Sequence, residues 1–163
     1  MAGGILSMAE RYRRPDWVRR LNAMAGSVGG DARRLVALDG AELLETAERS
    51  LDGSPPRGDL GDPVWRERFT NLVRALDAAP LTLVGRLMTR QELLRGMRTR
   101  MLLTRALDET PAIASERIVA PMIVTGPARS GTSILFELLW LDPTLRAPLA
   151  CEALHPLPRR APG

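Results

Sequence analysis

The amino-acid sequence predicts a mostly α-helical chain with one β-strand leading into a phosphate-binding loop, the start of an α/β nucleotide-binding domain. Three observations predict it. Apolar residues recur at helical spacing in four stretches before residue 110. A short apolar run, Ile118 to Val124, shows no polar alternation, as a strand buried on both faces would. A glycine-containing loop then joins that run directly to an apolar helix. The expected organisation is a helical region over residues 1–110, followed by the beginning of the nucleotide-binding domain over residues 111–163.

The elements are justified in order. Arg14 to Ala25 reads as a short helix, with Pro15 in its first turn and Trp17, Val18, Leu21 and Met24 at helical spacing. Asp31 to Leu38 allows a further helical turn or two. Gly40 to Leu51 is a firmer helix: Asp39 can cap it, Glu42 stands three residues later, and Ala41, Leu44, Ala47 and Leu51 form its stripe. Asp52 to Gly58 is punctuated by Gly and Pro and reads as a loop. Asp62 and Pro63 open the next helix, whose core face is Trp65, Phe69, Leu72, Val73 and Leu76, and Pro80 stops it. A long helix is predicted from Thr82 to Leu107, with Leu83, Leu87, Leu94, Met97, Met101 and Leu102 buried. Its arginines 86, 90, 95, 98, 100 and 105 read as solvated helix surface in preference to a phosphate-binding face. Pro121 is a defect in the Ile118–Val124 run, so the strand proper is expected from Met122. After the loop, Ile134 to Leu141 reads as an apolar helix stopped by Asp142-Pro143.

Composition narrows the function classes. The 163 residues are 45% hydrophobic and 26% charged, a globular balance that argues against wholesale disorder. Aromatics are only 4%, fewer than a sandwich or barrel wants. One cysteine, Cys151, excludes an intrachain disulfide and a cysteine zinc cluster, and one histidine, His155, excludes a His-rich metal site. Cys151 reads as a small buried filler, not a nucleophile. There is no run of eighteen apolar residues and no signal-peptide pattern at the start, so a cytoplasmic protein is expected. The net charge is +4, and all 23 basic residues are arginine, in a sequence rich in Ala, Gly and Pro. That pattern fits GC-rich coding bias, and the charges are interleaved with 19 acids. Nucleic acid is therefore not expected as a partner.

The loop reads Thr125-Gly126-Pro127-Ala128-Arg129-Ser130-Gly131-Thr132-Ser133. Its glycines stand five apart, almost as in G-x-x-x-x-G-K-[ST], but Thr132 occupies the lysine position. The physics still favours phosphate. Glycines let backbone N–H groups turn inward, and the following helix offers free N–H groups and its positive dipole end. Hydroxyls of Thr132 and Ser133 add donors, and Arg129 adds a planar fork for two oxygens.

This loop resembles the 5′-phosphosulfate-binding loop of PAPS-dependent sulfotransferases, in particular the bacterial sulfotransferase-family branch, with Ala128 as an extra residue between Pro127 and Arg129. Leu60-Gly61-Asp62, the long basic helix, Asp142-Pro143, Arg146-Ala147-Pro148, Glu152 and His155-Pro156 are similar to that branch too, so the resemblance spans most of residues 15–158. It implies a P-loop-like α/β sulfotransferase fold, incomplete here, and transfer of a sulfuryl group from PAPS to a hydroxyl or amine without a metal. Ala128, Arg129, Ser130, Gly131, Thr132 and Ser133 would hold the donor. Arg129 would also neutralise charge on the bridging oxygen. Glu152, about two dozen residues past Arg129, is the favoured general base, with His155 the other candidate. The acceptor would be a small molecule, lipid or carbohydrate. The family's 3′-phosphate segment should follow later, so the chain is expected to be the N-terminal part of a longer enzyme and inactive by itself. Two other classes stay open at this point: another P-loop phosphotransferase, and a non-enzymatic arginine-rich helical interaction module.

Overall fold

The computed structural model describes residues 12–51 and 60–157. The described chain divides into two units, one ending at Met101 and the other beginning at Leu102. The loop expected at Asp52 to Gly58 lies outside the described residues.

In the first unit, helix α1 spans Asp16–Ala23 and runs into a 3₁₀ turn at Met24–Val28; a second 3₁₀ turn spans Ala32–Arg34. Helix α2 is Gly40–Arg49, α3 is Trp65–Ala78, and α4 is Leu83–Glu109. The helix starts obey capping chemistry. Asp39 accepts a hydrogen bond from Glu42 N at 2.8 Å, as anticipated. The return half of that box is replaced: Glu42 instead accepts from Thr46 Oγ1 and from Arg90. Asp62 accepts from Val64 N at 3.0 Å, and α3 begins at Trp65, three residues after Asp62. The end of α4 nearest Pro80 is capped twice: locally, where Thr82 Oγ1 accepts from Gly85 N at 3.2 Å, and from far away, where Asn22 Oδ1 accepts from Val84 N at 3.0 Å.

The core of this unit gathers Leu38, Leu43, Ala47, Trp65, Val73, Leu94, Met97 and Met101. Trp65 and Phe69 pack with ring centroids 6.3 Å apart and tilted. A smaller cluster joins Ala25, Ala32 and Leu83. The stripes anticipated from periodicity are partly rotated. On α2 the buried face is Leu43 and Ala47, with Ala41 exposed. Trp17 and Met24 are exposed, as are Leu72 and Leu87. A charge enters the interior instead: Arg86 is 0% exposed. Its guanidinium donates to Val36 O, to Asp77 O at 3.1 Å and to the Asp77 carboxylate, which also accepts from Leu38 N at 3.0 Å. Three acceptors on two segments, one of them held in turn by the Leu38 amide, satisfy what burial would otherwise leave costly.

The second unit corrects the expected fold class. Among the described residues there is no β-strand, so the α/β P-loop-like architecture with a strand leading into the loop is not what this chain forms. The physical reason lies in the run itself. Ala120 adopts φ +47, the left-handed region, immediately before Pro121, which bends the run in its middle and removes a donor. No described segment pairs with it, and Ile118 and Ile123 are each 80% exposed. The unit consists of the end of α4, a short helix α5 (Ala112–Ser115), helix α6 (Thr132–Trp140) and a short helix α7 (Ala150–Leu154). No described residue after Met101 is buried. No helix among the described residues is long and apolar enough to cross a membrane.

Candidate functional site

The loop at 125–133 keeps its local design without the strand. Pro127 O accepts from Ser130 N at 3.2 Å, closing a β-turn over Ala128 and Arg129. Arg129 has φ +66, the sign that the third residue of a type II turn requires and that glycine or asparagine normally supplies. Gly131 has φ +89 and stands as the N-cap of α6. Ala128, Ser130 and Thr132 keep negative φ, so the sign alternates along five successive residues. Alternation of this kind turns successive amides to one side and makes a concave anion nest.

The amides at the mouth of that nest are free. Gly131 offers no side chain to cap α6, and the first i→i−4 bond is Leu135 N to Gly131 O at 3.0 Å. The N–H groups of Thr132, Ser133 and Ile134 therefore have no acceptor among the described residues. The Arg129 guanidinium also has no hydrogen-bond or ion-pair partner among them. The whole loop is solvent-exposed except Thr132, which is half-buried. It is a surface nest and not a cavity. Two clefts, of about 440 and 450 Å³, lie in the first unit, one against Leu87 and Arg90 and the other against Asn22 and Arg33.

The general-base candidates stand on α7. Glu152 is committed at both oxygens: one accepts from Leu149 N at 2.9 Å, capping the helix, and the other pairs with Arg146 at 2.9 Å. That role is legible in the sequence as a Glu three residues into a helix, but the helix itself was not anticipated. His155 ends α7, its backbone N–H donating to Cys151 O at 2.8 Å, and its ring is without a partner among the described residues. No hydrogen bond or ion pair joins either candidate to the loop among the described residues. Cys151 is exposed, not the buried filler expected of it. Beyond α6, Asp142 is held below the usual carboxylate range, first by the Thr144 hydroxyl and then by the Thr144 amide.

The arginines of α4 are mostly spent within the chain. Arg86 pairs with Asp77, Arg90 with Glu42 and Arg95 with Glu92. Arg98 donates to Ser50 Oγ at 2.6 Å and Arg100 to Leu60 O at 2.9 Å. A row of uncommitted guanidinium groups, as a phosphate-backbone reader needs, is not what α4 presents. Among the described residues no three His, Cys, Asp or Glu side chains converge.

Comparison with protein-family models, with curated proteins and with solved structures finds no match to this chain.

Proposed function

We propose that the loop from Gly126 to Ser133 binds the 5′-phosphosulfate of PAPS, and that the chain serves transfer of the sulfuryl group to a hydroxyl or amine on a small-molecule, lipid or carbohydrate acceptor in the cytoplasm. The observation that carries the reading is the alternating φ pattern from Ala128 to Thr132, with unpaired amides and an unpaired Arg129 at its mouth. The positive φ at Arg129 adds to it. A non-glycine residue there costs of order 1–3 kcal/mol, and such strain clusters at ligand clamps. The motif's resemblance supplies the donor class.

In the proposed reaction the bond between sulfur and the bridging oxygen breaks, and the acceptor oxygen or nitrogen bonds to sulfur. The acceptor's proton passes to a base, and the bridging oxygen leaves on PAP with its negative charge. Arg129 and the amides of Gly131, Thr132 and Ser133 would face that charge, where fixed donors contribute most. Of the two bases, Glu152 would first have to release Arg146 and the Leu149 amide, whereas the His155 ring has nothing to release. This makes His155 a stronger candidate than sequence spacing suggested.

The test is titration calorimetry of the full chain with PAP and with magnesium-ATP. Binding of PAP in preference to magnesium-ATP is expected. Tighter binding of magnesium-ATP would transfer the loop to a phosphotransferase reading. Binding of neither, with salt-sensitive binding of nucleic acid, would favour an arginine-rich interaction module.

A further inference from the structure

We propose that the outer face of α1 docks on a bilayer surface of anionic phospholipid, with Trp17 and Met24 entering the headgroup region and Arg13, Arg14 and Arg20 meeting lipid phosphates. The whole net charge of +4 lies on residues 12–34, where six arginines stand against Asp16 and Asp31; over the rest of the chain seventeen arginines balance seventeen acids. Two of the six are committed to those aspartates, Arg19 to Asp16 and Arg33 to Asp31. A third, Arg34, donates to Val28 O at 3.3 Å. Arg13, Arg14 and Arg20 are exposed, with no hydrogen-bond or ion-pair partner among the described residues.

Apolar side chains share that segment and face out. One side of α1 is held to the first unit: Asn22 accepts from Val84 N at 3.0 Å, Ala25 packs with Ala32 and Leu83, and Val18 and Leu21 are half-buried. That attachment turns Trp17 and Met24 away, 61% and 54% exposed, with Arg20 between them at helical spacing. Tyr12, next to Arg13 in the chain, is 66% exposed. Burial of an indole and a thioether is favourable, and an amphipathic ring suits the headgroup level. Free arginines beside them supply attraction to a negative surface. A nucleic-acid backbone would engage the arginines and leave Met24 uncovered, so the combination favours lipid. None of these side chains belongs to the loop at 125–133, so the contact is independent of what that loop binds.

Flotation of the full chain with vesicles tests the contact, using phosphatidylcholine alone and phosphatidylcholine mixed with phosphatidylglycerol. Binding should require phosphatidylglycerol and weaken with salt. Trp17→Ser combined with Met24→Ser should weaken it about tenfold. Changing Arg13, Arg14 and Arg20 together to Gln should weaken it about a hundredfold, at roughly fivefold per charge. Arg74→Gln, an exposed charge outside the segment, should leave it within about twofold. All these variants should keep the far-UV circular dichroism of the wild type, because the altered side chains lie on the surface. Brominated lipid should quench a part of the wild-type fluorescence that is missing in Trp17→Phe. Equal binding to phosphatidylcholine alone, undiminished binding in either multiple variant, or no binding to any vesicle would overturn the proposal. Salt-sensitive binding of duplex DNA without vesicle binding would overturn it too and give the face to nucleic acid.

Discussion

Arg86 and Arg129 are the same residue type used in opposite ways, and the difference is partnership. Arg86 is fully buried because Val36, Asp77 and its carboxylate meet every side of the guanidinium. Removing it strands those acceptors. Arg86→Met should therefore destabilise the first unit by about 3 kcal/mol, read by urea unfolding followed by far-UV circular dichroism. A loss well under 1 kcal/mol would show that the network is dispensable. Asp77 is held below the usual carboxylate range, chiefly by the Leu38 amide and then, against some desolvation, by Arg86. A depressed folded value means the charged form favours the fold. Its contribution is complete above the ordinary value of about 3.9 and is lost as pH falls through the lower, folded one. Asp77→Asn should flatten the stability profile on the acid side of about pH 4 and leave its slope near neutrality unchanged. Arg129 has no partner among the described residues, so its removal should leave the fold intact. Arg129→Gly keeps the backbone at home in positive φ and removes only the fork. It should weaken PAP binding by about tenfold or more while leaving unfolding unchanged. Unaltered PAP affinity in that variant would remove Arg129 from the site.

At the scale of elements, the helices differ in where their stability comes from. Helix α2 starts on a local cap, Asp39, three residues from the amide it holds. Helix α4 has a local cap too, Thr82 on the Gly85 amide, but it also starts on Asn22, sixty-two positions before the Val84 amide it holds. Asp39→Ala and Asn22→Ala should each cost about 1 kcal/mol. Asn22→Ala should also free the 3₁₀ region next to it, seen as faster amide exchange at Met24–Val28. Equal exchange there in the two variants would mean that Asn22 caps α4 and ties nothing else down. Helix α6 has no cap and no buried face; Ile134, Leu138 and Leu141, just past its end, are 65%, 59% and 79% exposed. Its stability is its own propensity, and nine residues alone are marginal in water.

For the whole molecule, the two units should open separately. The first owns every buried residue of the described chain, and the second owns none. Hydrogen exchange should therefore be slow along Leu93–Met101 and fast from Ile118 to Gly131. Slow exchange throughout Met122 to Leu139 in a monomeric sample would show that the second unit has a core after all. The sequence by itself determined the helices around Asp39, Trp65 and Leu94, because capping residues and 3.6-residue periodicity are local information. It also determined the loop's composition: glycines, arginine and hydroxyls at spacings that a nest can use. It misread Ile118–Val124, because an apolar run names a strand only if some other segment pairs with it, and Ala120-Pro121 bends it first. It could not reveal Arg86 in the interior, Asn22 on α4, or Trp17 turned outward. The first two are agreements between segments far apart in the chain, and the third follows from the second, because the side of α1 that carries Asn22 is the one held. Whether a charge is buried, an amide is capped or an indole faces water is decided by which atoms arrive beside it, and only the folded chain brings them there.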